Sequence, residues 1–131
     1  MANPDDFLYE YAVVRYVPDI ERGEFVNVGL IMMCKRRHWI EARFNIDAKR
    51  IFALLPGADI QTLSSQLKAI ENIVKGSENS FGGPIADLEA HERFRWLTAV
   101  RSASIRTSRP HAGLTHNLSE TFADLFHKLI M

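Results

Sequence analysis

The stretch from Arg93 to Asn117 holds Arg93, Arg95, Arg101, Arg106 and Arg109 together with His111 and His116, and contains neither Asp nor Glu. A planar guanidinium presents a fork of N–H donors that matches a carboxylate or a phosphate, so this run is a candidate site for an anionic group. The chain as a whole carries 16 basic and 16 acidic residues, a formal net charge of zero. Any attraction for an anion must therefore be local. The opposing reading is that acids distant in sequence, such as Asp19, Glu21 and Glu24, fold against these arginines and neutralise them. A second basic cluster, Lys35, Arg36, Arg37 and His38, precedes Trp39. Cations beside an aromatic ring can hold single-stranded nucleic acid, although one ring is fewer than stacking modules normally offer, and packing of Trp39 under a helix explains it more simply.

Catalytic patterns are weaker. Asp19, Glu41 and Arg43 are similar in outline to the two carboxylates and the lysine of a metal-dependent nuclease core. Arginine is almost always protonated and is a poor proton carrier, so the match fails at the position that matters. Cys34 with His38 or His111 would make a thiolate–imidazole pair, but Cys34 ends an apolar run and reads as a small buried hydrophobe. The histidines, at 38, 91, 111, 116 and 127, show no metal-ligand spacing, and Gly82-Gly83-Pro84 lacks the ending of a phosphate loop. Neither a metal nor a cofactor is expected, and the balance leans against an enzyme.

The composition supports an ordinary globular chain. Its 131 residues, 47% hydrophobic and 24% charged, predict one domain over residues 1–131 with one core. A single cysteine excludes an internal disulfide and points to a reducing compartment, so the expected location is cytoplasmic. No apolar run approaches the roughly 20 residues of a membrane span, and the acidic start is unlike a signal peptide.

The elements that must position the arginines follow from periodicity. Phe7 to Val17 reads as a strand that sets Tyr9, Tyr11, Val13, Arg15 and Val17 on one face. Phe25 to Cys34 reads as the central strand, with Val26, Val28, Leu30, Met32 and Cys34 on one apolar face and Gly29 marking a bulge or a crowded neighbour. After a turn over Lys35 to His38, Trp39 to Phe44 completes an antiparallel meander, its Ile40, Ala42 and Phe44 facing inward. Asp47 caps a short helix ended by Pro56-Gly57, and Asp59 caps a longer one that stops at Gly76. Ser77 to Pro84 reads as a loop, then a helix runs from about Leu88 to Val100 with Asp87 as its cap. A fourth strand around Ile105 and Thr107 breaks at Pro110 and a loop at Gly113. Asn117 and Glu120 form a capping box ahead of the stripe Phe122, Leu125, Phe126 and Leu129. The predicted class is α+β, a mainly antiparallel sheet of about four strands with helices packed on one face.

The residues Tyr11 to Gly29, YAVVRYVPDIERGEFVNVG, resemble the opening of a family of uncharacterised bacterial proteins, domain of unknown function 3037, and Ser108 to Leu114, SRPHAGL, resembles its second signature. With the matching length and order of elements, the resemblance covers nearly the whole chain. It implies no activity, but it directs attention to Arg15, Asp19, Arg22, Glu24, Asn27 and His111, which occupy the motif positions. Members are often encoded beside HipA-like kinases, so a protein partner, a HipA-like kinase among them, is the implied expectation.

Arg15 stands on a strand face beside Val13 and Val17, where its charge needs a carboxylate or a ligand anion. Either the acids Asp19, Glu21 and Glu24 supply it, or Arg15, Arg22, Arg106 and Arg109 converge on a shared anion. The expected function is a non-catalytic binding domain that engages a protein partner or anionic ligand through Arg15, Arg22, Arg106, Arg109 and His111, supported by Asp19, Glu24 and Asn27. The alternative is a nucleic-acid-binding accessory factor or nucleic-acid-processing enzyme. A homodimer is open to any sheet with a free edge.

Overall fold

A computed structural model describes residues 5–76, 83–99 and 104–131. Its strands are β1 (Phe7–Tyr16), β2 (Val26–Cys34), β3 (Trp39–Phe44), β4 (Ile105–Thr107) and β5 (His111–Thr115). Its helices are α1 (Ala48–Leu54), α2 (Ile60–Lys75), α3 (Ala90–Ala99) and α4 (Leu118–Leu129), with a 3-10 turn over Pro84–Asp87. The α+β class and the antiparallel meander are as expected: β3, β2 and β1 lie side by side. Beyond β1, β4 and β5 share its far edge, β4 opposite Val14 to Tyr16 and β5 opposite Phe7 to Tyr11.

Among the described residues the sheet thus has five strands, and the expected Gly113 loop is the middle of β5. Five residues with a central glycine carry no readable alternation, so only the pairing with β1 makes them a strand. Tyr9 covers Gly113 so closely that a Cβ there would run into its ring and hydroxyl. Between β4 and β5 the ladder is repaired by Ser108. Its amide donates to the Val13 carbonyl at 2.8 Å, and its buried hydroxyl accepts the Val13 amide at 2.9 Å.

Helices cover both faces of the sheet, where one face was expected. Residues of α1, α2 and α3 bury Ala12, Val14 and Tyr16 of β1, whereas Phe122, Phe126 and Ile130 at the end of the chain bury Val13, Leu30 and Met32 on the other side. The reason is visible in β2, which is apolar on both faces and buried almost throughout, as a doubly covered strand must be. A bulge also splits the face predicted for β2. Val14 pairs with Gly29 but Arg15 with Asn27, leaving Val28 as the extra residue. Val26 and Val28 therefore join Ile31 and Met33 against α1–α3, while Leu30 and Met32 turn toward α4. The ring crowding Gly29 is that of Phe44, directly opposite on β3.

The three N-caps form as their side chains predict, but the capping box at Asn117 is only half made, because the Asn117 backbone amide donates to the Thr115 hydroxyl and not to the Glu120 carboxylate. Asp47 accepts the Arg50 amide, Asp59 the Thr62 amide, and Asn117 the Glu120 amide while its Nδ2 donates to the Glu120 carboxylate. Near Asp87 the helix differs: Pro84–Asp87 is a 3-10 turn and α3 begins at Ala90. Residues 77–82 of the predicted loop, and Val100, lie outside the described residues. Among the described residues no helix is long and apolar enough to cross a membrane.

Candidate functional site

β1 organises the candidate site because directly opposed residues on neighbouring strands share a face. Arg15 is opposed by Asn27 of β2 on one side and by Arg106 of β4 on the other. With Val13 packed under α4, this row lies on the α4 side of the sheet. α4 lies over β2 and the adjoining part of β1, so the half-buried Arg15 and the exposed Arg106 remain beside it. The end of α4 sits over Asn27, whose Nδ2 donates to the Leu129 carbonyl at 3.2 Å.

Two like charges directly opposite one another destabilise a sheet. Among the described residues, the ion pairs involve Arg22, Arg50, Lys68, Lys75, His91 and Arg95, and none reaches Arg15, Arg106 or Arg109. The Arg15 guanidinium lies over the exposed Phe25 ring, 4.4 Å from its centroid. Its Nε is buried with no hydrogen-bond partner, and so is Oδ1 of the neighbouring Asn27. An unsatisfied buried polar group costs about 1–3 kcal/mol, so this row holds unmet hydrogen-bonding capacity.

The loop acids do not neutralise Arg15. Asp19 accepts the Glu21 amide through its side chain and the Gly23 amide through its carbonyl, which shapes the loop. Arg22 is paired with Glu24 at 2.6 Å on the exposed surface, and that hydrogen bond pushes its pKa up. Arg22 is thus engaged within its own loop and does not join Arg15. Arg93 and Arg95 also leave the basic run. Arg93 donates to the carbonyls of Leu88, Ile73 and Val74, tying α3 to the end of α2, and its burial pushes its pKa down. Arg95 grips Glu10 of β1 with two hydrogen bonds of 2.9 and 2.5 Å. Arg101 lies outside the described residues.

His111 opens β5 opposite Tyr11, and the two rings stack with centroids 5.2 Å apart. Tyr11 stacks in turn on Tyr9 at 6.3 Å, where burial first and the Tyr11 phenol second raise the Tyr9 pKa. This ladder of rings, the Phe25 contact and the opposition of Arg106 to Arg15 were not apparent from sequence. Tyr9, Tyr11 and Arg15 share a readable face, but their neighbours on β4 and β5 depend on pairing about 90 residues away in sequence.

The other chemical readings find no common geometry. Glu41 aligns with Met32 and through it with Tyr11, five residues short of the end of β1. That is about 17 Å of strand, and Asp19 lies beyond it. Arg43 instead rests on Phe122 and Phe126. Trp39 packs edge-on against Phe122 under α4, and Cys34 is fully buried. Arg36 and Arg37 lie over Phe7. Glu89, His91 and Glu92 bring three ligand atoms within 4.8 Å of one another, all from one short stretch at the start of α3. On the opposite face of the sheet an apolar cleft of about 220 Å³ lies between α2, α3 and β4, lined by Ile70, Ile73, Trp96 and Leu97 and, from the edge strand β4, also by Arg106.

The profile of a protein family of unknown function, DUF3037, matches residues 11–130. No curated protein and no solved structure matches the chain. With nearly its whole length aligned, from the middle of β1 to the end of α4, the chain belongs to the DUF3037 family.

Proposed function

We propose that this protein is a non-catalytic cytoplasmic binding module that seats an anionic group of a protein partner on the Arg15–Arg106 row. The observation that carries the reading is the direct opposition of two arginines with no carboxylate paired to either among the described residues. A carboxylate or phosphate from outside would relieve the repulsion and meet unpaired N–H donors at once. Arg109, in the connection between β4 and β5, and His111, opposite Tyr11 four residues along β1 from Arg15, are assigned the outer part of the same binding surface. Arg22, with Asp19 and Glu24, acts through the shape of the neighbouring loop.

A protein is favoured as the carrier because Ile20 and Phe25, 49% and 47% exposed, stand in that same loop. Apolar and aromatic side chains beside arginine make the composition of an interface hot spot. The family association makes a HipA-like kinase the first partner to test. The buried free thiol of Cys34 suits a reducing cytoplasm. A second reading, a nucleic-acid-binding accessory factor, draws on the stacked rings of Tyr9, Tyr11 and His111, which could accept bases while the arginines meet phosphates.

Capture from host extract by the wild-type chain and by the Arg106→Ala/Arg109→Ala variant tests the reading, with the fold of both checked by circular dichroism. Loss of the retained partner in the variant is expected; unchanged capture defeats the proposal. Titration with a labelled single strand at low and physiological ionic strength separates the alternatives. Nucleic-acid binding must weaken steeply with salt as counterions are released, and a packed protein interface much less.

A further inference from the structure

We propose that two copies of this chain associate through β5, pairing His111–Thr115 of each copy antiparallel across a two-fold axis at Gly113. The proposal rests on the sheet edge and not on the Arg15–Arg106 pair, although His111 belongs to both surfaces. One outer side of the sheet is β3, and the other is shared by β4, with its exposed Arg106, and β5. β3 carries exposed Glu41 and Arg43, the charged side chains that discourage pairing with another strand. β5, HAGLT, carries neither Lys, Arg, Asp nor Glu, and among the described residues no strand lies on its far side.

Beside that unguarded edge is an apolar pair. Leu8 of β1 and Leu114 of β5 oppose one another directly and are 61% and 51% exposed. Pairing centred on Gly113 sets Leu114 against the partner's Ala112 and His111 against the partner's Thr115. The Leu8–Leu114 pairs of both copies then join into one apolar strip across the junction. No charged residue meets its own copy.

The axis runs perpendicular to the sheet, so both α4 helices and both rows of Tyr9, Tyr11 and His111 emerge on the same side. The dimer would present two arginine rows on one surface, which permits bivalent capture of a repeating or two-fold partner. Five paired residues and a short apolar strip make a small interface of the weak, transient class.

Sedimentation equilibrium of the full chain from micromolar to millimolar concentration is expected to show a monomer–dimer equilibrium. Leu114→Lys should weaken it by about tenfold or more, since each tenfold corresponds to about 1.4 kcal/mol of lost association. Glu41→Lys, on the opposite edge, should leave it unchanged. Hydrogen exchange of the wild-type chain gives a second readout that needs no variant: amides of His111–Thr115 should become protected as concentration rises. A chain that stays monomeric throughout, a dimer lost in Glu41→Lys but kept in Leu114→Lys, or concentration-dependent protection appearing in β3 instead of β5 would each overturn the proposal.

Discussion

Arg15 of β1 stands directly opposite Arg106 of β4, so two guanidinium-bearing side chains share one sheet face. Arg15 rests on Phe25, and its Nε is buried without a hydrogen bond. Like charges directly opposite one another on neighbouring strands oppose sheet formation. A site kept ready for an anion should show that cost when its charge is reversed.

Arg106→Glu places a carboxylate opposite Arg15. Because opposite charges across a strand pair contribute about 0.2–1 kcal/mol and like charges oppose folding, the variant should be more stable than the wild type by up to about 1 kcal/mol. Urea denaturation measures the gain, and capture of the partner should be lost in the same variant. A variant that is both less stable and fully active in capture would contradict this account of the row.

Ser108→Ala removes the hydroxyl that accepts the buried Val13 amide. The orphaned donor should lower stability by about 1–3 kcal/mol. Ser108→Thr, which retains the oxygen, should lose less. Chemical denaturation of the three proteins distinguishes the hydrogen bond from a packing effect of any change at this position.

Gly29→Ala would drive a methyl group into the Phe44 ring. Overpacking of this kind costs about 1–3 kcal/mol, and Phe44→Leu in the same chain should recover part of it. Simple addition of the two single-variant losses in the double variant would show that the ring is not what excludes a side chain at position 29.

Asp59 caps α2 by accepting the Thr62 hydroxyl at 2.6 Å and the Thr62 amide at 3.0 Å, and these bonds hold its carboxyl below the ordinary value of 3.8. A carboxyl that is more acidic in the folded chain binds fewer protons there than in the unfolded chain. Its contribution is therefore complete above the unfolded value and is lost as the pH falls from near 3.8 through the lower folded value. In Asp59→Asn that part of the acid dependence should vanish. Urea midpoints compared between the two proteins over a pH series would show their difference shrinking toward acid; a difference that stays constant would refute the assignment.

Much of the framework was legible before any coordinates because it depends on near neighbours in the chain. Trp39–Phe44 has the predicted bounds, and Asp47, Asp59 and Asn117 cap the helices their spacing indicated. Phe122 and Phe126 bury the stripe read from a 3.6-residue period. Cap chemistry and side-chain periodicity operate within a turn or two, so the local residue order determines them.

The site belongs to the other category. Arg95 is withdrawn from the basic run by Glu10, 85 residues earlier, while Arg106 is left facing Arg15. The extra residue Val28 redirects the faces of β2, and Gly113 becomes strand only through its pairing with β1, where it lies under Tyr9. The amino-acid order alone thus determined the kinds of element, their caps and the stock of guanidinium groups. Only tertiary structure decided which of those groups found a carboxylate, because strand pairing and helix packing bring together residues that no local periodicity relates.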